Sequence, residues 1–485
     1  MASFARPIFA GSGPLSLVLT PTLVLVPASV LTGCFADPPM VVEDDITDPT
    51  QGTESPGTTV GLTTGAGPTT ATPTADDSTG PEPTSTGSTT GPDDSGSSST
   101  GPDPMECEAP DGQPDPVCPL ATPFCVGGSC APCSAGGDCA AIDPTTPVCG
   151  PGDVCLPCVA HSECPGNAAC HLFEGSCLPS DRVYYVDPDA NCGPGDATEM
   201  MPACSIQEAF GAASGEPQVT IRLDEDVYFE DITISAGRVI AILGTGMTTI
   251  ATIGGPPTVS VQGTAYLNSV DIQNFEDLAT GILSSGDLWL DDSMVRNNEI
   301  GLSSTAGRVV LRRSRVLDSG GVGVRLAGGE TARFINTIVA NNGDPFEPVS
   351  GGIVSTASAT IDVLYSTVVQ NTGASGGAID CNLGTTTVRN SIIASQTMSN
   401  AIDCLGANTV TYSVVADSEY DGEPTNVALM NYAALNLDGD YELAGGSVAN
   451  DAAQWELGDP TTDINGAPRP AVPGTADYAG ADLPN

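Results

Sequence analysis

The sequence predicts an all-β protein whose largest part is a right-handed parallel β-helix, preceded by a disordered linker and a small disulfide-rich module. Three observations predict the β-helix: a repeat of about 22 residues, columns of like residues in successive copies, and apolar/polar alternation around those columns. Parallel strands stacked in register about 4.8 Å apart place like residues on top of each other in this way. The predicted boundaries are 1–33 for a signal peptide, 34–105 for the linker, 106–180 for the module and 181–485 for the β-helix.

The charge of the chain excludes one class of partner. The 485 residues carry 60 acidic side chains against 13 basic ones, which gives a formal charge of −47. Such a charge excludes a nucleic-acid-binding protein that neutralises phosphates, and it disfavours docking on an anionic membrane surface. Seventeen cysteines indicate an exported protein whose thiols are oxidised.

The N-terminus has the pattern of an export signal. The apolar stretch 15–31 is interrupted by Pro21 and Pro27, so it is too short and too broken to span a bilayer as a helix. It ends in the string LTGC, which resembles the bacterial lipobox, in which the cysteine is acylated. The resemblance implies that Cys34 anchors the chain in a lipid bilayer, and Phe35 after it favours the outer membrane. The alternative is a chance cysteine beside an ordinary signal peptide.

The linker that follows consists mainly of Thr, Ser, Gly, Pro and Asp in low-complexity runs. Such a composition cannot bury a hydrophobic core, and a disordered segment of this length has a mean reach of about 45 Å. We therefore expect a tether that holds the following parts away from the lipid surface.

The module contains twelve cysteines between Cys107 and Cys177. They form a repeat of about 25 residues, in which Cys125, Cys130, Cys133 and Cys139 correspond to Cys149, Cys155, Cys158 and Cys164, with Cys170 and Cys177 in a third, truncated copy. Two C-x-x-C pairs, at 130/133 and 155/158, have the spacing of a zinc ribbon. Six disulfides are the stronger interpretation, because the module is exported and has few apolar residues for a core.

The repeats resemble small extracellular cysteine-rich repeats of myxobacterial surface lipoproteins. His161 and His171 are the two histidines of the chain. We expect both to be exposed polar residues of a loop-rich module.

Seven copies of the β-helix repeat align on one marker column, at intervals of 21 to 30 residues. The marker residues are Val270, Ser293, Ser314, Thr337, Thr367, Ser391 and Ser413. Three residues before each marker stands an apolar residue, in the order Leu267, Leu290, Leu311, Phe334, Leu364, Val388 and Val410. Two residues after each marker stands a β-branched residue, in the order Ile272, Val295, Val316, Val339, Val369, Ile393 and Val415. The long fourth interval contains residues 343–350, which we interpret as an inserted loop.

The two ends of this region carry a family resemblance. Residues 184–234, with YYVDPDANCGPGD, CSIQEAF and VYFEDITI, look like the start of pectin-lyase-like β-helix proteins, in which an amphipathic helix caps the first coil. The helix would lie at about 205–213. Residues 463–482, with DINGAPRP and DYAGAD, look like the closing motif of such proteins. The resemblance implies the fold but no single reaction, because the family includes lyases, hydrolases, epimerases and proteins without known catalysis.

Four cysteines outside the module fit this geometry. Cys192 and Cys204 flank the loop before the capping helix and are predicted to close it. Cys381 and Cys404 both end the string AIDC, one coil apart. Stacked positions about 4.8 Å apart lie within the Cα separation that a disulfide permits, so we predict both bonds.

Two acidic residues form the first candidate site. Asp380 and Asp403 precede the stacked cysteines and are expected to face outward about one coil apart, with Arg325 in the same column. Two like charges at that separation repel unless a cation or a proton lies between them. A Ca²⁺ site resembling those of pectate lyases is one interpretation, and two solvated acids are the other.

The second candidate is a surface for binding sugars. Tyr266 and Trp289 are predicted to be exposed on adjacent coils, an arrangement that suits stacking against a saccharide chain. Charged and amide groups flank them at Asn268, Asp291, Arg312 and Arg333. The alternative is that the aromatic rings shield a sheet face beneath a loop.

These observations leave two hypotheses for function. The first is a lipoprotein of the outer membrane that displays a rigid β-helix for binding polysaccharide, extracellular matrix or another surface component. The second is a lyase or hydrolase that acts on acidic polysaccharides, with Ca²⁺ at Asp380 and Asp403, or with acid-base chemistry by Asp291 and an arginine such as Arg312.

Overall fold

The computed structural model describes residues 143–150, 154–189, 196–275, 279–346, 350–373, 377–396, 400–420 and 423–484, with Cys133, Cys139, Ala140 and the backbone of three short strands between 113 and 131. The predicted signal peptide, Cys34 and the predicted linker lie outside the described residues. None of the helices in the described ranges has the length and hydropathy needed to cross a membrane.

The cysteine-rich module consists of short antiparallel strand pairs joined by disulfides. Its strands are Gln113–Pro114, Phe124–Val126, Ser129–Ala131, Val148–Cys149, Cys155–Leu156, Cys170–His171 and Ser176–Cys177, with 3-10 turns at His161–Glu163 and Pro165–Asn167. Four disulfides join Cys133 to Cys149, Cys139 to Cys155, Cys158 to Cys170 and Cys164 to Cys177. For these eight cysteines the disulfide interpretation is confirmed. They include Cys133, Cys155 and Cys158 of the two C-x-x-C pairs, whose sulfur atoms are bonded to other cysteines.

An α-helix begins the second part of the chain, as predicted. It spans Ile206–Ala212, and the hydroxyl of Ser205 accepts a hydrogen bond from the backbone N–H of Glu208 at its start. Ile206 and Ala209 turn inward and are fully buried. The helix therefore covers the open end of the apolar interior.

The main body is a right-handed parallel β-helix of about eight turns. Its strands stack in three parallel sheets, called A, B and C in the order A, B, C along each coil. Sheet A contains Val183–Val186, Gln218–Leu223, Asp287–Asp291, Arg308–Arg312, Thr331–Ile335 and Ala407–Thr411. Sheet B contains Val227–Phe229, Met294–Arg296, Arg315–Leu317, Ile338–Ala340, Thr367–Asn371, Ile392–Ser395, Val414–Val415 and Val427–Ala428. Sheet C contains Ile232–Ile234, Val259–Val261, Thr280–Ser284, Ile300–Ser304, Val324–Leu326 and Ile402–Cys404.

Four longer strands turn a corner between sheets without interruption. Val239–Thr252 and Thr264–Asn274 run from sheet A to sheet B. Ile353–Leu364 and Ile379–Arg389 run from sheet C to sheet A.

The predicted columns lie inside the coils, with one correction. Leu267, Leu290 and Leu311 are stacked in register and fully buried or nearly so. After the inserted loop the alignment was wrong by one residue, because Phe334 pairs with Val363 rather than with Leu364. For the same reason Ser366, Val363 and Val368 take the places predicted for Thr367, Leu364 and Val369.

The marker column forms a ladder of hydroxyl groups. The Oγ of Ser293 accepts a hydrogen bond from the backbone N–H of Val270, and the Oγ of Ser314 accepts one from the N–H of Ser293. The same bond repeats from Ser366 to Ser391 and from Ser391 to Ser413. Each hydroxyl thus satisfies a buried N–H of the previous coil.

The corner between sheets A and B, called the A–B corner, has a left-handed backbone in every copy of the repeat. In each coil the residue directly before the ladder position has φ between 45° and 55°. These residues are Ser269, Asp292, Arg313, Asn336, Tyr365, Asn390 and Tyr412. Non-glycine residues adopt this conformation only when the surrounding structure holds them in it.

The C-terminal segment, residues 432–484 and called the tail, runs back along the A–B corner. It contains the 3-10 turn Tyr432–Leu435 and the hairpin strands Ala453–Trp455 and Thr475–Asp477. The side-chain amide of Asn336 donates to the carbonyl of Thr462, and that of Asn390 donates to the carbonyl of Gln454. The tail therefore covers the A–B corner over the C-terminal coils.

Candidate functional site

The predicted sugar-binding surface on sheet A is covered by the third copy of the cysteine-rich module. Tyr266 is fully buried, so its predicted exposure was wrong. Its hydroxyl lies 2.7 Å from Nδ1 of His171 and its ring packs against Phe173, with 5.7 Å between ring centroids. Trp289 is half-buried and meets the edge of Phe173, with 5.2 Å between centroids. The aromatic pair shields a sheet face, which was the alternative interpretation.

The predicted exposure of both histidines was also wrong. His161 and His171 are buried where the module packs on sheet A. Burial lowers the pKa of His161 to about 4 and also lowers the pKa of His171. The sequence gives no sign of this contact, because it joins residues about 95 positions apart in the chain.

The charged residues around Trp289 bind each other. The buried carboxylate of Asp291 accepts hydrogen bonds from Arg312 at 2.6 Å and from Arg313 at 2.9 Å. Arg312 also donates to the carbonyl of Val159 in the module and lies over the ring of Trp289. Asp291 alternates with the inward-facing Leu290 and therefore faces outward, but it is 3% exposed, so its expected accessibility on this surface was wrong. These contacts give Asp291 and Arg312 a role in holding the module.

Two other predicted residues of this surface also have partners. The amide of Asn268 donates to the carbonyl of Asp291 at 3.3 Å. Arg333 binds Asp362 at 3.0 Å on the next coil, and each side chain is about one-third exposed. Arg333 lies farther along sheet A than the covered aromatic residues.

The acidic pair on sheet C is placed as predicted. Asp380 and Asp403 are paired in register, and so are Cys381 and Cys404, which form the predicted disulfide. Asp403 is exposed and Asp380 half-buried. Cys204 is also disulfide-bonded, whereas its predicted partner Cys192 lies outside the described residues. Within the described ranges, metal-ligating atoms come together in groups of three only at cysteines already held in disulfides.

An open groove of about 480 Å³ lies where the tail leaves the A–B corner uncovered. It crosses four successive coils, and its walls and floor come from the corner itself and the outer face of sheet B. Its lining residues are Gly244, Gly246, Thr248, Thr249, Ser269, Val270, Asp271, Asp292, Ser293, Met294, Arg296 and Arg315. At one end the strand pairing is interrupted between Leu243 and Thr248, which pushes a glycine-rich bulge outward.

The other end of the groove is set by Arg315. Its guanidinium donates to the carboxylate of Glu442 at 2.5 Å and to the side-chain oxygen of Asn465 at 3.1 Å, both in the tail. Arg315 thus lines the groove and marks the point at which the tail begins to cover the corner.

The two acids of the groove have different surroundings. Asp271 accepts a bidentate pair of hydrogen bonds from Arg296 on the next coil, at 3.1 and 2.6 Å. Asp292 lies at the corner with φ of 49°, and its carboxylate accepts a hydrogen bond from Ser269 at 3.4 Å. Burial raises the pKa of Asp292, with the neighbouring Arg313 acting in the opposite direction. Asp271 is therefore held in an ion pair with an arginine, and Asp292 retains its proton more readily than an ordinary aspartate.

The sequence contains a signal for this groove. Asp271, Met294 and Arg315 each follow a marker residue directly, and Asp292 precedes one. In a strand, the neighbour of an inward residue faces outward, so these positions were recognisable as surface. The position of the groove was not recognisable, because it depends on where the tail covers the corner, through contacts across more than 120 residues.

Comparisons with known proteins concern the β-helix. No family model and no curated protein sequence matches the chain. Among solved structures, a pectate lyase, Pel9A, is similar with 14% identity and a TM-score of 0.35, over 64% of this chain and 98% of that one. A pectin methylesterase from Aspergillus niger is similar with 12% identity and a TM-score of 0.33, over 52% and 91%. A rhamnogalacturonan lyase is similar with 11% identity and a TM-score of 0.30, over 55% and 96%.

Proposed function

We propose that this protein binds a polysaccharide chain in the groove at the A–B corner. The observation that carries the proposal is the groove itself, which is open, crosses four coils and presents carboxylate, guanidinium and hydroxyl groups side by side. Coils repeat about every 4.8 Å, a spacing comparable with the length of one sugar residue in a chain. Hydroxyl-rich ligands need this mixture of donors and acceptors at fixed positions.

The charges of the groove favour a neutral polysaccharide. Arg296 is bound to Asp271 and Arg315 is bound to Glu442, so neither guanidinium carries an uncompensated positive charge. A uronate chain would also meet the repulsion of a protein with a formal charge of −47.

Calorimetric titration with neutral and with uronate oligosaccharides tests this proposal. We expect neutral chains to bind, and we expect Asp271→Asn to weaken binding by about tenfold, because one charge-assisted hydrogen bond is worth roughly 1.5 kcal/mol or more. Arg333→Gln is the matched control, since Arg333 binds an aspartate on the next coil of sheet A, outside the groove. Tighter binding of uronates, or an equal loss in the control, would contradict the proposal.

Hydrolysis of the bound chain is a second candidate function, favoured by the two acids of the groove. Asp292, whose pKa burial raises, would donate a proton to the glycosidic oxygen, and Asp271 would act as base or nucleophile. We expect Asp292→Asn to abolish the release of reducing ends while oligosaccharide binding persists. Binding without release of reducing ends by the unsubstituted protein would leave the binding role alone.

We also propose that the chain is displayed at the cell surface, anchored in the outer membrane through acylated Cys34. The lipobox-like string and the predicted tether support this placement. We further propose that a Ca²⁺ ion binds between Asp380 and Asp403, supported by the register of the two acids. Calcium titration of Asp403→Asn against the unsubstituted protein tests it.

A further inference from the structure

Both histidines of the chain lie at the contact between the cysteine-rich module and sheet A. His161 is 8% exposed and His171 is 4% exposed. Their rings approach Tyr266 edge-on, with 6.1 and 5.4 Å between ring centroids. The contact therefore contains every imidazole of the chain.

Hydrogen bonds hold both rings in place. Nδ1 of His161 accepts from the backbone N–H of Cys170 at 3.1 Å, so this ring is neutral with its proton on Nε2. The hydroxyl oxygen of Tyr266 accepts from the backbone N–H of Phe173 at 3.4 Å and lies 2.7 Å from Nδ1 of His171, and the tautomer of His171 decides which of these two atoms donates.

The charged groups that face the rings come from both sides of the contact. Asp291, Arg312 and Arg222 of sheet A act on His161, where the acid opposes burial and the two arginines reinforce it. Glu174 of the module and Arg308 and Asp287 of sheet A act on His171. Nε2 of His171 lies 3.7 Å from the exposed carboxylate of Glu174. Burial outweighs the attraction of these acids and keeps both rings neutral.

We propose that the module is held on sheet A by a proton-sensitive latch, in which protonation of His161 and His171 places two positive charges in the buried contact, removes the acceptor Nδ1 of His161 and releases the module from Tyr266 and Trp289. The sign follows from linkage. A histidine whose pKa is lower in the docked state supports docking fully above about pH 6.5, and this support is lost as the pH falls toward the docked pKa. Within that window, each histidine lowers the equilibrium constant for docking of the module by about tenfold for every unit by which the pH falls.

Release would leave the rest of the fold intact. The module has its own disulfides, and residues 179–182 connect it to the first strand of sheet A. The uncovered surface would be that around Tyr266 and Trp289.

The test is the accessibility of Trp289 as a function of pH. The chain has two tryptophans, so Trp455→Phe leaves Trp289 as the single tryptophan. We expect acrylamide quenching of Trp289 to rise between about pH 6.5 and about pH 4, with unchanged far-ultraviolet circular dichroism. Amide exchange at Ala169, whose N–H donates to the Thr220 hydroxyl across the contact at 2.9 Å, should lose protection in parallel.

Substitutions distinguish the histidines from the nearby carboxylates. In the double variant His161→Gln/His171→Gln the quenching should not change with pH. In either single variant the rise in quenching should be less steep with pH, because one proton is bound instead of two. The proposal is overturned if the unsubstituted chain shows no rise in quenching. It is also overturned if the double variant retains the transition, which would assign it to Asp287 or Asp291.

Discussion

Asp291 on sheet A binds two arginines of the next coil, with 2.6 Å to Arg312 and 2.9 Å to Arg313. The carboxylate is buried, whereas the arginine side chains are 25% and 36% exposed. Because Arg312 also donates to the carbonyl of Val159, this ion pair connects two coils with the module.

Asp291→Ala should therefore lower the free energy of unfolding by about 2 kcal/mol. This is less than the loss for a fully buried pair, because both guanidinium groups keep contact with water. Asp362→Ala, which breaks the one-third-exposed pair with Arg333, should lower it by less than about 1 kcal/mol. Denaturant unfolding measures both variants, and equal losses would show that burial of Asp291 contributes nothing.

Asp482 in the tail should make stability depend on pH. Burial, with the nearby Glu442 and Asp463, raises the pKa of Asp482 from 3.8 to about 7. The folded protein thus holds a proton that the unfolded chain has released above about pH 4, so stability is lost as the pH rises from about 4 to about 7. Asp482→Asn cannot titrate, and we expect it to unfold at higher denaturant concentration than the unsubstituted protein at about pH 8.

The exposed Asp440 provides the control for that measurement. Asp440→Asn should leave the pH dependence of the unfolding midpoint unchanged. Parallel curves for Asp482→Asn and the unsubstituted protein would show that Asp482 keeps an ordinary pKa.

The disulfide between Cys381 and Cys404 closes a loop with a sequence separation of 23 on sheet C. Loop-closure entropy predicts that replacing both cysteines with alanine lowers the free energy of unfolding by about 3 kcal/mol. Unfolding followed by circular dichroism, with and without reductant, measures this. A reductant effect that persists in the double variant would assign the stabilisation to the disulfides of the module.

The proposed lipid attachment at Cys34 predicts a simple difference in fractionation. The unsubstituted protein should incorporate labelled fatty acid and sediment with membranes, whereas Cys34→Ser should do neither. Membrane association of Cys34→Ser with undiminished fatty-acid label would show that the cysteine is not the anchor.

The coil architecture was predictable because local rules determine it. Leu267, Leu290 and Leu311 show the period of the coil directly, and the ladder from Ser293 to Ser314 follows from the same spacing. The error at Thr367 arose at an insertion, where a sequence does not reveal the position of the gap to within one residue.

The candidate site was less predictable, because it depends on which surfaces other parts of the chain cover. The apolar/polar alternation correctly predicted that Tyr266 points away from the coil interior. It did not predict that the module covers this side chain and buries it. Conversely, Asp271 and Asp292 line a groove because the tail leaves this part of the corner uncovered. No residue spacing within their own coils predicts where the tail runs.

The path of the tail also changes how the coils depend on each other. In solenoids built from nearest-neighbour contacts alone, terminal coils unravel singly. Here the tail fastens Arg315, Asn336 and Asn390 to one continuous segment, and it thereby connects the coils of Arg315 and Asn390, which do not pair with each other. The C-terminal coils should consequently melt as a single block, with the groove at its boundary.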